Sequence, residues 1–268
     1  MCSSSDKDKD KDIVGNTLQG QTALITGGAS GIGLSTAQLF VEEGANVVIA
    51  GRRTDALDKA VHNLGAPERV RSFMADVSSE GHANTLVANT VRAFGALNIL
   101  VNNAGIFRGG PLLEMEEDDF DENITINLKG TWLMCRYAAR PLIEAGGGAI
   151  INVSSYLAIR AHHSTPASGY AASKAGILGL TRSLAVELAP YKVRVNAVLP
   201  AVVKTPMLTE LVPPEQVDAL LERSKKAHPL GRAGEPEDVA RAILFLAQPQ
   251  NSWVTGAELP VDGGRAVI

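Results

Sequence analysis

Cysteine is nearly absent. Cys2 and Cys135 are the only two in the chain, too few for a disulfide framework or a cysteine-rich metal site. Cys135 lies in an apolar helical stretch and reads as a small buried hydrophobe. The histidines are not spaced with carboxylates or cysteines for coordination, so no metal is expected. Positive charge is not in excess: the net charge is -4, which argues against a nucleic-acid protein, since that would show a basic face. No apolar run reaches the roughly 18 residues that span a bilayer, and no apolar core follows the N-terminal charges as in a signal peptide. These absences leave a soluble chain of a reducing compartment, expected to be cytoplasmic, with neither nucleic acid nor membrane as partner.

What is present is a core. Hydrophobic residues make up 45% and charged residues 20% of 268, an ordinary balance for one α/β domain and not for a disordered chain. Residues 1–16 are the exception. Asp and Lys alternate there, and nothing apolar recurs until Ile13, so they read as a solvated, disordered tail. Residues 17–268 read as one domain without internal repeats. Short apolar runs at 22–26, 46–50, 70–75, 98–102, 149–154, 193–199 and 258–261 alternate with helical patterns at 32–43, 55–64 and 80–94. Near-continuous apolar strands separated by helices predict a Rossmann-like doubly wound parallel sheet, covered on both faces.

Strand one runs into Thr26-Gly27-Gly28-Ala29-Ser30-Gly31-Ile32-Gly33, and a helix follows. Glycines let backbone come close to a ligand, and a helix N-terminus offers unpaired N–H groups and the positive end of a dipole. The order strand, glycine turn, helix is that of a pyrophosphate cradle. The spacing lacks the Lys-Ser/Thr ending of a nucleotide-hydrolysing loop. Dinucleotide sites that read both ribose hydroxyls place an acid about 20 residues past the glycines. Here Gly51 stands in that place, followed by Arg52 and Arg53. Arginine offers planar donors to a 2′-phosphate where an acid would repel it, so NADP(H) is expected over NAD(H); solvated loop arginines are the plainer alternative. Further on, Tyr170 and Lys174 stand four residues apart in a helical pattern and so share a face. A cation beside a phenol favours its ionised form, which suits the tyrosine to proton transfer.

These motifs, together with Asp76-Val77, Asn102-Asn103-Ala104-Gly105, Asn127, Asn152-Val153-Ser154-Ser155, the run Asn196 to Pro200 and Val261-Asp262-Gly263-Gly264, resemble the classical short-chain dehydrogenase/reductase family from about Leu18 to Gly264. The resemblance implies a catalytic group of Asn127, Ser155, Tyr170 and Lys174. Tyr170 would be the general acid/base, Ser155 the hydroxyl on the substrate oxygen, Lys174 the cation that tunes the tyrosine and holds the nicotinamide ribose, and Asn127 the holder of a water linking Lys174 to solvent. It implies cofactor contacts at Gly27, Ser30, Gly31, Ile32, Gly33, Asp76, Val77, Asn103, Ala104 and Gly105, and nicotinamide contacts at Pro200, Val203 and Thr205. Asn102 and Asn103 read equally well as ties between strands. Two positions depart from the family pattern: Ala201 replaces the usual glycine, and Ser30 stands where NADP users often carry a basic residue.

Residues 205–234 resemble the family's variable substrate lid. Met207, Leu208, Leu211, Val212 and Pro213 make it apolar, and Phe107, Tyr156 and Leu157 would flank the pocket. Apolar walls suit a hydrophobic ketone or secondary alcohol. His162 and His163 read as solvated loop residues. The expected activity is carbonyl–alcohol interconversion with NADP(H). An NAD-dependent alcohol dehydrogenase of the same family is the alternative, and a non-catalytic dinucleotide-binding sensor or scaffold a more distant one. The stretches 132–143 and 175–188 are apolar over more than one stripe, which predicts a second buried side and hence a homo-oligomer, a dimer or tetramer. Light scattering at micromolar concentration is expected to give a mass of at least two chains; a monomer mass rejects the interface.

Overall fold

The computed structural model describes residues 16–162 and 165–268. The expected tail, residues 1–16, lies almost wholly outside them, as does His163. Seven strands form one parallel sheet: β1 (Thr22–Thr26), β2 (Asn46–Gly51), β3 (Val70–Met74), β4 (Ile99–Asn102), β5 (Gly148–Val153), β6 (Val193–Pro200) and β7 (Glu258–Val261), in the spatial order β3-β2-β1-β4-β5-β6-β7. Helices α1 (Gly31–Glu42), α2 (Thr54–Leu64) and α3 (Glu80–Phe94) connect the first four strands. After β4 come α4 (Glu117–Glu122), a π-helical turn (Asn123–Lys129) and α5 (Gly130–Glu144). Helix α6 (Ser168–Leu188) precedes β6, and α7 (Leu208–Leu211), α8 (Val217–Ala227) and α9 (Pro236–Ala247) separate β6 from β7.

The apolar strands behave as a period of two requires. Ala23, Ile25, Val47, Ile49, Ile99, Val101 and Ile151 join a core completed by Phe40 of α1, Leu57 of α2 and Ile243 of α9. Their neighbours Leu24, Val48, Leu100 and Ile150 point the other way, into a core completed by Leu86 of α3, Met134 of α5 and Leu188 of α6. Both faces of the sheet are therefore covered, which is what unbroken apolar strands demand. The strand order reverses between β1 and β4. Crossovers leave these two neighbours in opposite directions, and a crevice opens beyond their carboxyl ends.

The expected strands hold to within a residue or so at each end. The expected helix at 32–43 is α1 shifted by one residue, and the helical pattern expected from Tyr170 onward is α6, which begins two residues earlier, at Ser168. That earlier start puts Tyr170 and Lys174 in the first two turns of α6. The π turn and helices α4, α7, α8 and α9 carry no expectation from the sequence. Cys135 is fully buried and its thiol is pushed up to about 12 by burial, although the Asn102 amide lies 3.3 Å from Sγ. It is inert packing. Among the described residues no helix is long and apolar enough to cross a membrane, and no three potential ligands converge as a metal site.

One buried cation holds the far end of the sheet together. Arg194 on β6 donates to the carbonyls of Leu246, Ala247, Gln248 and Val254 at 2.8–3.3 Å. It closes the C-terminus of α9, where carbonyls lack partners within the helix. Arg194→Met keeps the stem but strands these acceptors, so it is expected to destabilise the protein by about 2–4 kcal/mol in urea denaturation; a loss below 0.5 kcal/mol would reject the role.

Candidate active site

The crevice is floored by side-chain bonds. At the end of β1, Thr26 Oγ1 accepts from the N–H groups of Asn103 (3.0 Å) and Ala104 (3.1 Å). Asn103 Nδ2 donates back to Thr26 O (3.0 Å) and Gly27 O (3.1 Å). Asn103 thus ties β4 to the glycine turn, the bland alternative its sequence allowed, while still lining the cavity. Packing here has no room for a side chain on the turn. A Cβ on Gly33 would lie 2.2 Å from Gly27 O, and Gly27 and Gly31 adopt φ of +63° and +53°. A Cβ on Gly31 would stand 3.0 Å from Thr205 Cγ2, so the segment after β6 comes down onto the turn.

At the mouth of this turn α1 begins. Ser30 is its N-cap but makes no side-chain capping bond, and the first turn carries no acid. The opening N–H groups of a helix lack intrahelical partners and carry its positive pole. An uncapped helix start behind a glycine turn fits a dinucleotide's pyrophosphate. Gly27, Ser30, Gly31, Ile32, Asn103, Ala104 and Gly105 line one continuous cavity of about 860 Å³ with Pro200, Val203 and Thr205. Gly33 is packed beneath the turn. Arg52, Arg53, Asp76 and Val77 stand outside that cavity, at the ends of β2 and β3. Burial raises the Asp76 carboxyl, but the Ser78 hydroxyl (2.6 Å) and N–H (2.9 Å), with Arg52 and His82 nearby, hold it below the usual carboxylate range. Arg52 and Arg53 are exposed, with Arg53 at the N-cap of α2.

The four expected catalytic residues gather beside this cradle. Ser155, Tyr170 and Lys174 line the same cavity. Ser154 lines the cavity as well; its Oγ donates to Lys174 O (2.8 Å), and Ser155 Oγ accepts from Leu157 N (3.2 Å). The Tyr170 ring packs against Phe107, centroids 4.9 Å apart. Lys174 Nζ lies 5.7 Å from the centre of the Tyr170 ring and donates to Val153 O (2.9 Å). No carboxylate pairs with it among the described residues, and burial lowers it from 10.5 to about 8.

Asn127 is fully buried in the π turn. Its Nδ2 donates to Ile106 O and Ser173 Oγ (both 3.1 Å), and its Oδ1 accepts from Ile106 N (2.8 Å). One turn earlier Asn123 does the same to Arg108: Oδ1 accepts from its N–H (3.3 Å) and Nδ2 donates to its carbonyl (2.9 Å). Each amide stands in for a strand partner, and together they hold the extended wall 106–108 of the cavity. π turns recur at functional sites. Asn123 was not singled out in the sequence; its spacing of four from Asn127 in an otherwise apolar run is the signal. The cavity adds Arg223, Lys226, His228 and Arg265, also not anticipated, and includes His162. A Cβ on Gly105 would lie 3.0 Å from Asn127 Oδ1 and 3.4 Å from Lys174 Nζ, so a side chain here would crowd both groups.

Comparison with known proteins agrees with this geometry. The family model described as enoyl-(acyl carrier protein) reductase matches residues 27–266. A 3-oxoacyl-[acyl-carrier-protein] reductase, FabG, of Thermotoga maritima is 41% identical over 251 residues, 93% of this chain and 99% of that protein. Subunit BbsD of (2S)-[(R)-hydroxy(phenyl)methyl]succinyl-CoA dehydrogenase from Thauera aromatica is 40% identical, covering 94% of this chain and 98% of its own. Among solved structures, levodione reductase superposes with a TM-score of 0.87 at 33% identity, covering 93% of this chain and 99% of its own.

The buried lysine makes stability depend on pH. Its folded value of about 8 lies below its ordinary 10.5, so between those pH values the unfolded chain binds the extra proton and stability from this group rises with pH. Below pH 8 the full penalty stands, about 3 kcal/mol. Lys174→Met removes it and loses one hydrogen bond of about 1 kcal/mol. The cofactor-free variant is therefore expected to be about 2 kcal/mol more stable than the parent at pH 7, the gain vanishing or reversing near pH 10.5. Urea denaturation at both pH values checks this; a pH-independent difference would contradict it.

Proposed function

The chain belongs to the short-chain dehydrogenase/reductase family and is a nicotinamide-dependent oxidoreductase, and from that premise we propose that it interconverts a ketone and a secondary alcohol on a mostly apolar small molecule, with NADP(H) and with Tyr170 as the general acid/base. The observation that carries the proposal is the convergence of Ser155, Tyr170 and Lys174 on the cavity into which the glycine turn and the uncapped start of α1 open.

When bound, the dinucleotide supplies or accepts the hydride at the substrate carbon. The chain's part is binding, orientation and the proton. Gly27, Ser30, Gly31, Ile32 and Gly33 form the phosphate cradle; Asp76 and Val77 take the adenine end; Asn103, Ala104, Gly105, Pro200, Val203 and Thr205 take the ribose and nicotinamide end. Ser155 Oγ donates to the substrate oxygen and steadies charge developing there. Tyr170 passes its phenolic proton to that oxygen in reduction and takes it back in oxidation. Lys174, a cation in a dry setting, favours the ionised tyrosine. Asn127 holds a water that links Lys174 to solvent and so replaces the proton delivered, with Gly105 leaving both groups uncrowded. Met207, Leu208 and Val212 give the 205–234 segment an apolar inner surface and make it a lid over the substrate. Phe107, Tyr156, Leu157 and Ala201 continue that surface.

Arg52 and Arg53, exposed at the end of β2 with no acid in the place that would read a ribose hydroxyl, favour the 2′-phosphate of NADP(H). A second reading, alcohol oxidation with NAD(H), draws on two points: Ser30 is not basic, and the Thauera relative is named a dehydrogenase. Outward faces of α5 and α6 bearing Trp132 and Val186, both exposed, agree with assembly of identical chains through these helices.

Assays against a ketone panel with NADPH and NADH test the proposal. Turnover is expected with a kcat/KM ratio favouring NADPH, a ratio that Arg52→Ala with Arg53→Ala reverses or levels. Tyr170→Phe is expected to lower kcat by about 100-fold or more while leaving the dinucleotide Kd nearly unchanged. Near-normal turnover in that variant rejects the role of Tyr170, and a clear NADH preference in the parent rejects that of the arginines.

A further inference from the structure

The cavity that holds Tyr170 has an uneven electrostatic lining. Arg223, Lys226, His228 and Arg265 line it, and among the described residues that do so there is no Asp or Glu. Leu220, Arg223, Ser224 and Ala227 of α8 recur at spacings of three and four, so one face of the helix meets the cavity. The acids of α8 lie off that face: Asp218 and Glu222 do not line the cavity, and Glu222 is engaged by Lys225. Arg265 Nη1 donates to Ala227 O (3.1 Å), which ties the C-terminal turn to the last turn of α8. Cations gathered in a concave, partly apolar wall focus a positive potential into it.

A second feature points to a ligand. His228, just past α8, is 3% exposed and lines the same cavity. Its Nδ1 lies 2.7 Å from Ser224 O, a carbonyl that only accepts, so Nδ1 carries a proton. Its Nε2 is buried without a hydrogen-bond partner among the described residues. Leaving a buried polar nitrogen unpaired is costly; with Nδ1 protonated, Nε2 of the neutral ring is an acceptor, and a ligand N–H or O–H reaching it removes that cost. Ser224 Oγ is turned back to Leu220 O (2.9 Å) and does not compete for it.

Resting on the oxidoreductase reading, we propose that the substrate carries an anionic group, a phosphate or carboxylate, set back from the reacting carbonyl and held by Arg223 and Lys226 of α8. The apolar wall takes the part of the substrate near the carbonyl, and the α8 cations select the tail. Arginine suits either anion because its planar fork matches two oxygens at once.

Two matched pairs test this: acetoacetyl-CoA against the acetoacetyl thioester of N-acetylcysteamine, and 4-oxopentanoate against its methyl ester. Within each pair the reacting ketone is shared: the first pair differs by the phosphate-bearing pantoate and nucleotide part of coenzyme A, the second by a carboxylate against its methyl ester. The parent enzyme is expected to favour the anionic member of at least one pair in kcat/KM. Arg223→Glu with Lys226→Glu is expected to lower that anionic-to-neutral ratio by about tenfold or more, a change of about 1.4 kcal/mol in transition-state binding. Arg223→Gln with Lys226→Gln should fall between. A ratio that stays the same overturns the proposal, as does a variant whose defect is confined to a weaker Kd for the dinucleotide, since the cations would then serve the cofactor. If the parent reduces none of the four, the reading of such ketones as substrates fails on its own, and calorimetric titration with the two anionic compounds still decides this one. Binding lost on charge reversal supports it, and no binding or equal binding overturns it.

Discussion

The structure depends on holding two strands together where their connections part. β1 and β4 are neighbours, yet the chain leaves them in opposite directions, and backbone pairing between them ends at Ile25 and Val101. Beyond that point the Thr26 hydroxyl and the Asn103 amide take over, with five hydrogen bonds between the end of β1 and the end of β4. An amide side chain carries the same donor and acceptor as a peptide, so asparagine can continue a ladder after the strands diverge. The same device recurs around the crevice. Asn102 reaches Asn152, which reaches Thr181 of α6. Asn127 and Asn123 pair with Ile106 and Arg108, and Asn196 bridges to Val254 and Ala257. A crevice must lack backbone pairing to admit a ligand, and these amides keep its walls in place without closing it.

The fold was legible because parallel strands buried on both faces have no polar positions to blur them. Val47 to Ala50 or Leu100 to Val101 are apolar in succession because each residue enters one core or the other. The crossover helices were legible for the same reason, through their spacing. What escaped was the chain between β6 and β7 and the π turn. Residues 205–227 were read as a lid and not as helices, and α8 is largely exposed and meets the body of the protein along one narrow face. A π turn has no propensity signature. It exists because Asn123 and Asn127 bond to a strand wall that their own neighbours in sequence do not predict.

The site was legible to different depths. The pairing of Tyr170 with Lys174 follows from helical spacing. The glycine turn announced its helix. The meeting of these pieces at one cavity depends on tertiary structure and came only through family resemblance. The cations of α8 were invisible for a physical reason. In sequence, Glu222-Arg223-Ser224-Lys225-Lys226 looks like an ordinary solvated face, and only the placement of α8 divides it into an outer side, where Glu222 and Lys225 satisfy each other, and an inner side that carries no acid.

That division bears on how the cavity manages charge. Lys174 is buried with its ammonium on a carbonyl and no carboxylate among the described residues to neutralise it. Placing an acid nearby would stabilise the lysine, but it would also raise the phenol of Tyr170, since a negative neighbour disfavours a second negative charge. Among the described residues the cavity wall carries no acid, and burial holds the unpaired lysine down at about 8. The same absence sets the sign of the field felt by anything entering. The proposed ionisation of Tyr170 and the proposed anionic substrate are therefore not independent: each draws on a wall that, among the described residues, carries no Asp or Glu, so under these proposals an acid introduced beside α8 would disturb binding first and proton transfer second.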